Sequence, residues 1–216
     1  MYLPDPDAVF PNEYKTSCFI KNVVRAPNIC IGDFTYYDDA EDPTGFEQNN
    51  VLFNHPEFGD RLVIGKFCGI GCKTTFIMGS ANHRMCSAST YPFAVFGEAW
   101  ANLVPPHMAQ LPRKGDTVVG NDVWLGYGCT VLPGVKIGDG AIIGAHSVVA
   151  HDVPAYCIAV GNPARVVKKR FDDELIALLE RFCWWNLPGS ELLEVLPLLC
   201  DSDLEKLRSF IQTRLA

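Results

Sequence analysis

The chain carries five histidines, the side chain best suited to take and return a proton near neutral pH. His83 stands in Phe76-Ile77-Met78-Gly79-Ser80-Ala81-Asn82-His83-Arg84-Met85, where an apolar run gives way to small, turn-forming residues. A hydroxyl is a poor nucleophile unaided, and an imidazole held beside it contributes roughly 10²–10⁴-fold as a general base. Taken alone, His83 also reads as a solvated loop histidine. A second feature is the cluster Arg165, Lys168, Lys169 and Arg170 on an otherwise acidic chain of net charge -7. It reads either as a solvated basic turn or as a patch for phosphate groups. The nine cysteines are odd in number and include no C-x-x-C pair. Cys68 and Cys72 have no Cys/His pair downstream, so the cysteines read as small buried hydrophobes in a reduced, cytosolic protein.

The elements that must position these residues are set by a period of six. Val119, Leu125, Val131, Ile137, Ile143 and Val149 recur at that spacing, mostly followed by Gly (Gly120, Gly126, Gly138, Gly144). Four places after each comes a small or β-branched residue: Val123, Cys129, Val135, Ala141, Ser147, Val153. An earlier block, Ile64-Gly65, Ile70-Gly71 and Phe76, keeps the phase with Cys68 and Thr74 in the small slot, and Ile31-Gly32 begins an isolated rung. Neither the 3.6-residue period of a helix nor simple alternation fits this pattern. Short strands joined by tight turns do, stacked so that each aliphatic lies over its counterpart three hexads on. The fold class is therefore an all-β solenoid, whose coils bury their faces only against one another.

The period lapses between about 79 and 115, leaving an excursion too apolar for disorder (Tyr91, Phe93, Phe96, Trp100, Leu103, Leu111). The solenoid ends after Pro163. Asp172, followed by two acidic residues, predicts a helix from Asp173 to about Trp184. Two more are expected at about 190–199 and 201–215, placed to cap the open end of the solenoid. The division is then 1–170, solenoid with its excursion, and 171–216, a helical appendage. The acidic balance argues against a general nucleic-acid binder. No apolar run approaches the ~18 residues of a membrane span, and the N-terminus lacks a secretory pattern.

The His83 segment resembles the xenobiotic acetyltransferases of the hexapeptide-repeat class, which include streptogramin A (virginiamycin) and chloramphenicol acetyltransferases. The same likeness runs through Ser89-Thr90-Tyr91-Pro92-Phe93, Gly115-Asp116-Thr117, Gly120-Asn121-Asp122-Val123-Trp124 and Pro133 to Ala141. It continues in Gly161-Asn162-Pro163-Ala164, Arg170-Phe171 and Trp184-Trp185-Asn186. It covers roughly residues 17 to 200, and the Asn-His-Arg-Met wording resembles the streptogramin branch more than the chloramphenicol branch. The resemblance implies a left-handed parallel β-helix, although the general preference for right-handed crossovers would predict the other hand. It implies homotrimers with active sites between subunits, acetyl-CoA as co-substrate, and His83 as the base acting on an acceptor hydroxyl.

For the cofactor, the resemblance points to Trp124, expected beside His83, and to Tyr127, Ala145, Ala150, His151, Arg165, Lys168 and Arg170. Relatives commonly have Lys where this chain has His151. For the acceptor it points to Tyr36 and Asp38, in a Tyr-Tyr-Asp motif, and to His55, where relatives tend to carry an aromatic; Phe53, Met85 and Leu103 are expected to add apolar walls. His146 and His151 have the spacing of a ligand pair in hexapeptide-repeat carbonic anhydrases, but position 110, where a third ligand would stand, is Gln110. Catalytic zinc wants three protein ligands, so no metal is expected. Three functions stay open from sequence: acetylation of an antibiotic such as streptogramin A or chloramphenicol, the same chemistry on a housekeeping sugar or amine, and a non-catalytic scaffold.

Overall fold

The computed structural model describes residues 4–215. The chain first lays down β1 (Ser17–Phe19), β2 (Ile29–Ile31), β3 (Tyr36–Asp38), α1 (Phe46–Asn50) and β4 (Val51–Leu52). Regular coils begin with β5 (Leu62–Ile64), β6 (Gly69–Ile70) and β7 (Thr75–Ile77). After the excursion, which holds α2 (Glu98–Ala101) and α3 (His107–Gln110), come β8 (Thr117–Val119), β9 (Trp124–Leu125) and β10 (Thr130–Val131). The next coils are β11 (Lys136–Ile137), β12 (Ile142–Ile143), β13 (Val148–Val149), β14 (Cys157–Gly161) and β15 (Ala164–Lys169). Three helices follow, α4 (Asp173–Phe182), α5 (Gly189–Leu199) and α6 (Leu204–Leu215).

From β5 to β13 the chain visits three sheets in turn. Sheet one is β1-β3-β6-β9-β12-β14-β15, sheet two β13-β10-β7-β4, and sheet three β11-β8-β5-β2. Pairing is parallel except where β1 meets β3 and β15 meets β14. Ile143 pairs with Leu125, Val149 with Val131 and Ile137 with Val119, each three hexads apart, as the repeat requires. The register survives the excursion, since Ile64 meets Val119, Ile70 meets Leu125 and Phe76 meets Val131. The isolated rung joins too, with Ile31 on Ile64. This is a parallel β-helix.

Both inward slots are filled as the hexads predict. Leu125, Val131, Ile143 and Val149 are sealed, as are Cys68, Cys129, Thr74, Ala141 and Ser147. Burying each large aliphatic is worth roughly 1.5–3 kcal/mol. Four cysteines (18, 68, 129, 157) are buried, but Cys30, Cys86 and Cys200 are exposed, so packing does not explain all nine. Gly126 is needed where coils touch, because a Cβ there would lie 2.7 Å from the Ala145 nitrogen. At one corner a column of left-handed residues turns the chain: Phe34, Phe67, Asp122, Gly140 and Tyr156.

Asp172 caps α4 as expected, accepting the Leu175 N–H at 2.8 Å. The helix stops at Phe182 rather than Trp184 because Cys183 turns left-handed, φ 46°. That turn aims Trp184 at the solenoid, 4.9 Å from the Phe67 ring. The helices do not cap the solenoid's end, which corrects the sequence expectation. The antiparallel β15 covers the last edge of sheet one, while the helices lie along the Phe67–Tyr156 corner, with Lys66 Nζ donating to Asn186 Oδ1 and Tyr156 packed into their apolar cluster.

Arg170 locks that corner. It donates to the Gly140 carbonyl at 2.7 Å, lies 3.6 Å from Asp122, and stacks over Tyr156 and Phe171. Burial pushes the Asp122 carboxyl up to about 6, against the pull of Arg170. The folded chain therefore holds a proton that the unfolded chain releases over roughly pH 4–6. Asp122's contribution to stability is fullest below that window and is lost as pH rises through it. Asp122→Asn, whose side chain tolerates the left-handed turn, should remove this dependence. The gap between wild-type and variant melting temperatures should then change across the window; a constant gap would place the titration elsewhere.

Candidate active site

The 3₁₀ turn Gly79–Ala81 leads from β7 to His83. Its position is fixed from below: the Gly79 N–H donates to the buried carboxylate of Asp60 at 2.7 Å, and Ser80 Oγ donates to the Phe53 carbonyl at 2.6 Å. Asn82 Nδ2 closes the turn onto the Gly79 carbonyl, 2.9 Å. His83 itself is exposed, with Nδ1 2.9 Å from the Thr90 carbonyl oxygen. A carbonyl only accepts, so Nδ1 is assigned the proton and Nε2 is left with its lone pair. Among the described residues, no carboxylate pairs with either ring nitrogen. The nearest ring to His83 is that of His107, centroids 6.0 Å apart and edge to face. Sequence reading did not pair these two; both fall in the aperiodic stretch, where spacing carries no signal.

The excursion beyond His83 forms a cavity of about 300 Å³, lined by Thr90, Tyr91, Phe93, Val104, His107 and Gln110 among others. Tyr91, Phe93, Phe96 and Trp100 form one ring cluster with centroids 4.8 to 6.4 Å apart. All four remain exposed, as do Met85 and Leu103, at 74% and 82%. Arg84 crosses the loop to Gln110 Oε1. Phe53 reaches the His83 turn through its carbonyl, and exposed His55 stands 3.6 Å from Glu57. Tyr36 and Asp38 do not join them. They lie on β3 of sheet one, where Asp38 accepts from Ser17 Oγ at 2.9 Å.

Trp124 also lies on sheet one, 59% exposed, and within the chain its ring is not paired with that of His83. Trp124, Ile142, Ile158 and Lys168 are successive cross-strand partners and form one outward row. A register shift at Ile158/Ala159 sets Arg165 opposite Val160 and Lys168 opposite Ile158. Ile158 and Val160 share a face, so this bulge brings Arg165 and Lys168 to the same outer surface. Without it, a spacing of three would part them.

The four-residue basic cluster thus divides. Arg165 reaches only the Ala164 carbonyl at 3.0 Å, and Lys168 has no ion-pair partner among the described residues. Lys169 is bonded to Asp173, and Arg170 is engaged at the Asp122–Tyr156 corner. Tyr127 and Ala145 meet at the corner between sheets one and two, where the Tyr127 ring lies 5.1 Å from His146. Ala150 and His151 stand one corner further on, after β13. Among the described residues, no three His, Cys, Asp or Glu side chains gather as a metal-binding group, and no helix is long and apolar enough to cross a membrane.

The geometry gives one imidazole with a free lone pair at the mouth of an apolar loop, and two free cations on an apolar strip. Residues 116–151 match the family model for the bacterial transferase hexapeptide (six repeats). The chain is 50% identical over 172 residues to a probable macrolide acetyltransferase of Lysinibacillus sphaericus, covering 79% of this chain and 94% of that one. It is 44% identical over 206 residues to the virginiamycin A acetyltransferase of Staphylococcus aureus, covering 95% and 92%. A chloramphenicol acetyltransferase of Morganella morganii is 41% identical over 190 residues, covering 87% and 89%. The chain belongs to the hexapeptide-repeat xenobiotic acetyltransferases, acyltransferases that use acetyl-CoA.

Proposed function

We propose that this protein transfers the acetyl group of acetyl-CoA to a hydroxyl of a streptogramin A antibiotic, with His83 as general base. The carrying observation is the Nδ1 contact to the Thr90 carbonyl, which assigns the donor role to Nδ1 and leaves Nε2 as the nitrogen to accept a proton. His83 Nε2 takes the acceptor's proton as the hydroxyl oxygen attacks the thioester carbonyl, then returns it to the departing sulfur. The acetyl donor supplies a carbonyl activated by a thiol leaving group. Exposed apolar surface on Phe53, Met85 and Leu103, with His55 nearby, suits an acceptor of low polarity. Tyr36 and Asp38 would add polar contacts from a second chain.

We assign the co-substrate's phosphate end to Arg165 and Lys168, and its extended arm to the Trp124 strip, with Tyr127, Ala145, Ala150 and His151 on the adjoining corners. These groups face different ways on one chain. Their dispersal, with the exposed ring cluster of the excursion, supports a homotrimer that assembles each site between neighbours. The same family membership supports a left-handed coil and a cytoplasmic location. Light scattering should give about three times the chain mass of 23.9 kDa; a monomer at micromolar concentration would remove the shared site.

A second reading has its own support, since the relative at 50% identity is named for a macrolide. Release of CoA thiol should be measured with streptogramin A, a macrolide, chloramphenicol and simple sugars. The streptogramin should give the highest kcat/KM, and a preference for any other acceptor overturns that assignment. With the preferred acceptor, His83→Ala should lower kcat by about 10²-fold or more with little change in the KM for acetyl-CoA, the pattern of an interaction made in the transition state. Near-wild-type turnover in the folded variant excludes His83 as the base.

The cofactor assignment is tested separately. Replacing Arg165 and Lys168 together by Ala should raise the KM for acetyl-CoA and reduce its dependence on salt. Arg170→Ala should instead lower the melting temperature and leave that KM near the wild-type value. If the two variants behave alike, the division of the basic cluster is wrong.

A further inference from the structure

His107 has no part in the proton transfer described above, yet its ring is the one that meets His83, edge to face, with centroids 6.0 Å apart. The hydrogen bond from Nδ1 to the Thr90 carbonyl pins one atom of the His83 imidazole. The ring is also tethered through Cβ, so that bond leaves one concerted rotation of χ1 and χ2 free, and Nε2, on the far side, moves with it. A second contact is needed to fix the ring plane.

His107 is itself held in place by the loop. Gln110 Nε2 donates to the carbonyls of Pro105 and Pro106, which clamps the start of α3, and Gln110 Oε1 accepts from Arg84. Arg84 is the residue after His83, so the brace begins and ends at the base. The His107 side is half-buried in the wall of the 300 Å³ cavity, alongside Thr90. Among the described residues neither imidazole is paired with a carboxylate, the acidic partner that commonly orients a catalytic histidine.

We propose that His107 is a positioning residue for His83: its ring replaces the usual carboxylate as the element that fixes the imidazole plane, while the Thr90 carbonyl fixes its tautomer. The inference rests on His83 being the base. It commits to ring packing, not to the charge or hydrogen-bonding capacity of His107.

The test compares His107→Ala with His107→Phe, and both with His83→Ala, in the full-length protein. His107→Ala should lower kcat roughly tenfold, well within the ~10²-fold that a misplacement of about 1 Å can cost, with the KM for acetyl-CoA unchanged. His107→Phe should recover most of the loss, because a ring edge remains. Wild-type kcat in His107→Ala, or equal losses in the two variants, overturns the proposal. A second readout needs no acceptor: long-range ¹H–¹⁵N spectra and Cε1 ¹³C relaxation of histidine-labelled protein. His83 should show one tautomer, protonated on Nδ1, in all three proteins, while its Cε1–H order parameter should fall in His107→Ala and return toward the wild-type value in His107→Phe. An unchanged order parameter in His107→Ala also overturns it. Should His83→Ala keep full turnover, the base assignment fails on that variant alone, and the order parameter still decides whether His107 orders the ring.

Discussion

Everything in this molecule depends on coils meeting in register. A coil of three short strands has no core of its own. Its backbone groups and its aliphatic row are satisfied only by the coils on either side. Leu125 is sealed because Ile70 lies on one side and Ile143 on the other. The constraint admits no partial slip. A one-residue shift would turn every inward aliphatic outward and drive a Cβ into the position where Gly126 lets the Ala145 backbone approach. The same rigidity makes the solenoid tolerant of insertion. β7 and β8 are separated by 39 residues, 78–116, that form no strand, yet Ile64 still meets Val119 and Phe76 still meets Val131.

That tolerance explains where the proposed base sits. His83 is carried on an insertion rather than on the repeat, so its placement has to be borrowed from the coils beneath. The loan passes through Asp60, whose buried carboxylate takes the Gly79 N–H, and through the Phe53 carbonyl, which takes the Ser80 hydroxyl. Sites built on rigid elements are placed more accurately than sites on loops, and this turn is a loop fastened to a rigid element at both of its first two residues.

The sequence made the solenoid legible because stacking imposes the same demand at every sixth position. The aliphatics, the small slots at Cys68 and Cys129 and the rung at Ile31 could all be read from spacing, and the Asp172 cap from chemistry. His83 was legible only through its resemblance to a family, since an exposed loop histidine has no periodic signature. Other features depend on long-range geometry and left no local trace. Arg170 looks like its basic neighbours in sequence, and only the left-handed corner at Asp122, Gly140 and Tyr156 draws it inward. The grouping of Arg165 with Lys168 required a register shift that no pattern announces. The end of α4 moved because Cys183 adopts a left-handed turn, which aims Trp184 at Phe67.

A three-faced solenoid also limits what one chain can hold. Its outer faces are sheets, and a sheet face offers a strip rather than a pocket, whereas small-molecule sites need concavity. The Trp124–Lys168 row is such a strip: apolar along its length, with two free cations at its far end. His83 and the ring-bearing excursion follow β7 of sheet two, with Tyr36, Asp38 and Trp124 on another face. Each surface carries half of what an acyl transfer between two bound molecules requires. A cleft made by setting the excursion of one chain against the strip of another would supply the missing wall to both. It would also bury Met85, Leu103 and the Tyr91–Trp100 cluster, whose exposure on a lone chain is otherwise hard to reconcile with an acidic, water-facing surface.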